Sequence, residues 1–182
     1  MEFSMLRFAL LLMLAAPVWA KTAEWDRAHA LVQKGEYKQA VQILEKASSK
    51  DADNLVLLGE AWYGLKDYGK AIDKLEDAEK LAPKNSAVYL WLGRARGRQA
   101  EEGSKLLAFG RARGAKTAFE KAVELDPKNM DALDDLFEYY LEAPGIVGGG
   151  LDKAEDVAKK IAAIDKPKGD ALLKKVADER KK

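Results

Sequence analysis

Four carboxylates crowd one short stretch, Asp131, Asp134, Asp135 and Glu138. Paired carboxylates do general acid–base work when a sheltered cleft raises the pKa of one of them. No such cleft is predicted here, and acidic side chains are usual on a solvated helix face. His29 is the only histidine, and the sequence has no cysteine. Without a histidine cluster or a His-Glu-x-x-His pair, metal catalysis and thiol chemistry lack their residues. Gly148, Gly149 and Gly150 precede a helix-forming run, and such a loop can form a nest of backbone N–H groups around an anion. No Gly-Lys-Ser/Thr follows, so this is not a nucleotide phosphate loop. The plainer reading is a tight reversal that tucks Ile146 and Val147 back onto the preceding helices. The sequence therefore points to a non-enzymatic protein with no metal and no cofactor.

The elements that position these residues are helices. The stretch NLVLLGEAWYGLKDYGKAIDKLEDAEKLAPKN, residues 54–85, reads as two amphipathic helices joined by a tight turn. Leu55, Leu58, Gly59 and Trp62 fall at i, i+3, i+4 and i+7 in the first; Tyr68, Ala71, Ile72, Leu75, Ala78 and Leu81 line the second. Gly59, Ala71 and Ala78 allow close backbone approach, while Trp62, Tyr68 and Leu75 fill the space between. Pro83 and Asn85 end the second helix. Such a hairpin cannot bury its apolar face alone, so it needs copies beside it.

The copies are present. KGEYKQAVQILEKA aligns with LKDYGKAIDKLEDA, matching Tyr37 to Tyr68 at 31 residues. A third hairpin starts at Ser86, with Tyr89, Leu92 and Gly93 on its first helix and Ala115, Phe119, Ala122 and Leu125 on its second. It is longer than its neighbours around 100–110, which predicts two extended helices with the turn near Gly103. In the fourth, Leu133, Leu136, Phe137 and Tyr140 form the apolar face. Phe137 falls where the other copies place Ala28, Gly59 and Gly93, so this hairpin is expected to pack differently. Residues 166–169 read as a break, and 170–182 as a final polar helix that closes the stack.

These matches resemble the tetratricopeptide repeat (TPR). The residues that carry the resemblance are Leu58, Gly59, Trp62, Tyr68, Ala71, Leu75, Ala78 and Pro83 in the second copy. In the third they are Leu92, Gly93, Ala115, Phe119, Ala122 and Pro127, and in the first Ala28, Gly35, Tyr37, Ala40 and Ala47. The resemblance spans residues 22–165. LWLGRARGRQAE and VELDPKNMDALDDLFEYYLEAPGIVGGGLDKA are also similar to exported bacterial members. The resemblance implies an all-α superhelical solenoid of helix-turn-helix hairpins, at about 21–51, 52–85, 86–129 and 130–165, that binds proteins or peptides. It also implies that the first helix of each pair lines a concave groove. Carried onto this chain, the groove residues are Trp25, His29, Val32 and Gln33; Val56, Glu60 and Tyr63; Leu90, Arg94, Gly97 and Arg98; and Asp131, Asp134, Glu138 and Glu142. That groove is part aromatic, basic at its centre and acidic at its C-terminal end. Arg94 and Arg98 are expected either to grip carboxylates of an extended peptide through their planar forks or to pair with Glu60, Asp134 or Glu138. Trp25 and Tyr63 are candidate anchors, because aromatics favour interface hot spots. Trp62 is expected in the core.

Charge is balanced, with a formal net of +1 over 182 residues. That argues against a general nucleic-acid binder. An apolar run at residues 8–16, then Pro17 and the small-x-small ending Val18-Trp19-Ala20, predicts a signal peptide over residues 1–20 cleaved after Ala20. Residues 21–182 are then one domain, periplasmic or secreted. The run is too short to cross a bilayer. Arg94, Arg96, Arg98, Lys105, Arg111, Arg113 and Lys116 make a basic stretch, which implies at most peripheral contact with an anionic membrane. The expected function is a monomeric protein- or peptide-binding scaffold of the cell envelope. The alternative is a structural subunit that self-associates or packs into a larger envelope complex.

Overall fold

The computed structural model describes residues 23–47 and 50–182. The expected signal peptide lies outside the described residues. Within them the protein is all α, with nine α-helices and one short 3-10 turn. The hairpins are α1 (Ala23–Gln33) with α2 (Tyr37–Lys46), α3 (Ala52–Gly64) with α4 (Tyr68–Leu81), α5 (Ser86–Glu102) with α6 (Lys105–Leu125), and α7 (Met130–Glu142) with α8 (Leu151–Ile164). The 3-10 turn, Gly145–Val147, joins α7 to α8, and α9 (Lys166–Glu179) follows. The first helices α1, α3, α5 and α7 touch one another in succession and form one layer. Each second helix packs against its own partner and against the first helix of the next pair. This is the stacking that the sequence periodicity demands, since each hairpin's apolar face is covered only by its neighbour.

Local chemistry fixes the helix starts. The carboxylates of Asp51, Asp67 and Asp165 and the amide oxygen of Asn129 each accept a hydrogen bond from the backbone N–H three residues on. Asn85 caps α5 by accepting from the N–H of Ala87. The turns inside the first two hairpins each need one residue in the left-handed region. Gly35 takes that place in the first at φ 75°, and Lys66 takes it in the second at φ 62°.

The close-contact slots behave as their residue sizes require. A Cβ at Gly59 would stand 2.5 Å from the Leu75 side chain, and one at Gly93 would stand 2.5 Å from the Phe119 ring. The fourth hairpin inverts this arrangement. Phe137, 1% exposed, occupies the first-helix slot, and fully buried Ala158 on α8 belongs to the same core cluster. The bulk has moved from the second helix to the first, so the ring is buried where the second helix presents only a methyl group.

The third hairpin is extended as expected. Helix α5 ends at Glu102, Gly103 caps it, and α6 begins at Lys105. The start of α6 overhangs the stack and leaves Leu106, Leu107 and Phe109 exposed. Helix α9 departs from expectation. Residues 166–169 do not break the chain but form its first turn. Asp165 caps that turn, and Pro167 sits where no N–H is needed. Gly169 is buried so close to α8 that a Cβ there would lie 2.3 Å from the Ala162 backbone. Val176 of α9 enters the core, and Lys168 and Lys175 reach across to α7.

Candidate functional site

The layer of first helices carries a stacked ring pair on α1 and a chain of rings and charges from α3 to α7. On α1, Trp25 and His29 stack with their rings 4.8 Å apart. The edge of Tyr63 on α3 meets Trp91 on α5 at 5.4 Å. The Arg94 guanidinium lies over the Trp91 ring at 4.8 Å, in cation–π geometry. Its Nε donates to Asp135 of α7 at 2.5 Å, and Asp131 stands 3.8 Å away. Burial pushes the Asp135 carboxyl above its ordinary pKa, against the pull of Arg94. Burial likewise raises Glu60 on α3, again opposed by Arg94. Arg94 therefore sits at the centre of a charge network running from α3 through α5 to α7.

Beside this network the extended hairpin and α7 enclose a groove of about 510 Å³. One wall is the overhang of α6, with Ala108, Phe109 and Ala112. The other is Tyr139, Pro144 and Val147 at the end of α7 and in the turn that follows. Tyr63, Gly97 and Arg98 form part of its α3–α5 side. Arg98 does not face the groove unpaired, because its two terminal nitrogens contact Glu101 at 2.6 Å and Glu102 at 2.5 Å.

Two models of the tetratricopeptide repeat match this chain, one over residues 26–86 and another over 106–129. The chain carries tetratricopeptide repeats. Its fold is similar to the crystal structure of a thermophilic TPR protein in Thermus thermophilus. The two share 18% sequence identity at a TM-score of 0.69, over 86% of this chain and 81% of that one. A search of curated proteins finds no match.

Placing the expected residues on the TPR layers changes several of them. Leu90 and Val32 are buried, at 5% and 4% exposure, and do not line an open surface. Leu90 packs against α7 because its stripe points sideways at the next first helix. Val56 and Glu60 on α3, and Asp134 and Glu138 on α7, occupy the equivalent stripe. Asp134 is taken by Lys168 of α9, and Glu138 by Lys175 at 2.9 Å. Two of the four acids predicted for the acidic end of the groove, Asp134 and Glu138, are thus paired by α9. Arg94 and Arg98 do pair within the protein, and their close partners are Asp135, Asp131, Glu101 and Glu102, while Glu60, one of the acids expected from sequence, feels the Arg94 charge without a close ion pair among the described residues.

The TPR chain makes a reversal, not an anion nest, of Gly148, Gly149 and Gly150. Their N–H groups donate to the carbonyls of Gly145, Pro144 and Tyr140 respectively, so these donors are already engaged. A Cβ at Gly149 would fall 1.8 Å from the Ala143 oxygen, which is why glycine stands there. Lys153 donates to the Gly148 carbonyl at 2.9 Å and Tyr139 to that of Val147 at 3.0 Å. Val147 is buried as expected, whereas Ile146 is 66% exposed. Trp62 packs among both N-terminal core clusters, with Lys70 over its ring at 4.1 Å. Reading the sequence for groove residues missed Trp91, Phe109, Asp135 and Tyr139. Asp135 was legible from spacing, since Asp131, Asp135, Glu138 and Glu142 follow one helical face. Phe109 gave no such signal, because its role depends on where the overhang ends.

Proposed function

We propose that this protein is a non-enzymatic scaffold of the bacterial cell envelope that holds a segment of another protein in the groove walled by α5, α6 and α7. Tetratricopeptide repeats generally mediate protein–protein interaction as scaffolds. The groove carries the reading. At about 510 Å³ it is concave, lined with aromatic and small apolar side chains, and edged by a few charges, the usual make-up of a binding site. The envelope assignment is supported by the apolar run and the Val18-Trp19-Ala20 ending before Lys21. No helix among the described residues is long and apolar enough to cross a membrane.

Photo-crosslinking in intact cells tests this. A photoreactive residue at Ala108, on the groove wall, is expected to capture a partner protein in the envelope fraction, from a chain that begins at Lys21. The same residue at Lys38, on α2, is expected to capture none. Equal capture from both positions overturns the groove, and a cytosolic chain that keeps residues 1–20 overturns the compartment.

A second reading, self-association or packing into a larger envelope complex, is favoured by the overhang, where Leu106 is 88% and Leu107 53% exposed. Light scattering across a concentration series decides it: a mass that stays at one chain removes self-association.

A further inference from the structure

The charges of the groove specify what kind of segment it takes, an inference that rests on the scaffold reading above. Two cations line it, Arg94 and Arg98, and both are held by carboxylates of this chain. Four carboxylates line it, Glu101, Asp135, Glu138 and Glu142. Glu101 and Asp135 hold those arginines, and Glu138 is held from outside the groove by Lys175. Glu142 is exposed and has no ion-pair partner among the described residues. It stands at the end of α7, next to the apolar wall of Ala143, Pro144 and Val147. A carboxylate there also faces an unfavourable end of the helix dipole, which a cation would relieve.

We propose that the occupant is a cationic amphipathic segment of a partner protein, with large apolar side chains seated among Phe109, Ala112 and Val147 and a lysine or arginine set against Glu142. An acidic segment would have to displace Glu101, Glu102 or Asp135 from their arginines before gaining a contact. A basic one meets Glu142 without breaking any pair. Apolar anchors in a groove, with the sign of the rim charge selecting the partner, is a common mode of helical-peptide recognition.

Selection of random peptides displayed on phage against the immobilised protein tests this. Wild-type protein is expected to enrich peptides that combine Leu, Phe or Trp with Lys or Arg. A soluble representative should bind Glu142→Lys at least about tenfold more weakly, equal to about 1.4 kcal/mol. Ala112→Trp, which fills the groove, should abolish binding with the helical circular dichroism spectrum intact. If that variant does not fold, Phe109→Ser at an exposed position replaces it. Enrichment of acidic peptides that need the groove, or binding indifferent to Glu142→Lys, overturns the proposed charge and leaves the scaffold reading standing. Failure to enrich any groove-dependent peptide overturns both.

Discussion

Arg94 of α5 donates through its Nε to Asp135 of α7 at 2.5 Å, and this pair ties the third hairpin to the fourth. Both side chains are about three-quarters buried, at 23% and 27% exposure. Partial burial strengthens the attraction but also raises the cost of leaving one charge alone. Arg94→Ala is therefore expected to destabilise the protein by about 1–3 kcal/mol. In a double-mutant cycle with Asp135→Ala, measured by urea unfolding, the coupling should be about 1 kcal/mol. A coupling near zero would mean that the two side chains do not act on each other in solution.

Glu60 makes stability depend on pH. Burial holds its carboxyl above the ordinary value of 4.5, with Arg94 opposing. A carboxyl whose pKa is higher in the folded state binds its proton more tightly there. Folding therefore loses stability as pH rises from the ordinary carboxylate range through the raised value, and the loss is complete above it. Glu60→Gln removes that contribution. Relative to wild type, the variant should gain stability as pH rises from the ordinary carboxylate range in paired urea titrations, while Asp135, raised for the same reason, leaves a slope common to both curves. A difference that stays flat or shrinks with pH would contradict this.

The inverted sizes at Phe137 and Ala158 can be tested by exchange. Phe137→Ala leaves a cavity in a core position that is 1% exposed and should cost about 3–5 kcal/mol. Ala158→Phe alone overpacks the same core and should cost about 1–3 kcal/mol. Together they restore the arrangement of the third hairpin, with bulk on the second helix. The double variant should therefore melt above Phe137→Ala. A purely additive loss would show that the two positions do not share space.

Lys66 holds φ at 62° in the turn between α3 and α4, where the first hairpin has Gly35. A side chain in the left-handed region is strained, and glycine is not. Lys66→Gly is expected to raise stability by a net of about 0.5–1 kcal/mol, after its own entropy cost in the unfolded chain. Thermal melts are enough to detect this. A loss of stability would show that the Lys66 side chain makes up for the strain.

The fold was almost wholly legible because hairpins of this kind repeat their small residues. Gly59 and Gly93 announce close contacts, and Tyr37 and Tyr68 set the register. The extended third hairpin was also readable, since its extra residues are helix formers around Gly103. Two kinds of information were not local. Helix α9 was placed too late because Pro167 reads as a breaker, although a proline in the first turn breaks nothing when Asp165 caps it. The groove was legible in part: Tyr63, Arg94, Arg98 and Glu138 line it, whereas Leu90 is buried in the core of the last two hairpins and Asp134 is held by Lys168 of α9. Helical spacing shows which residues share a face, but not what that face meets.

Helix α9 gives the molecule a direction. With Lys168 and Lys175 fastened to Asp134 and Glu138, and Val176 set into the interior, the last hairpin already has the neighbour that another repeat would have supplied. A tandem fusion that joins a further hairpin after Lys182 would find that berth occupied. One spliced in just ahead of α9 would inherit the lysines as its own fastening. Lengthened versions of this protein are therefore best built by insertion before the terminal helix rather than by extension beyond it.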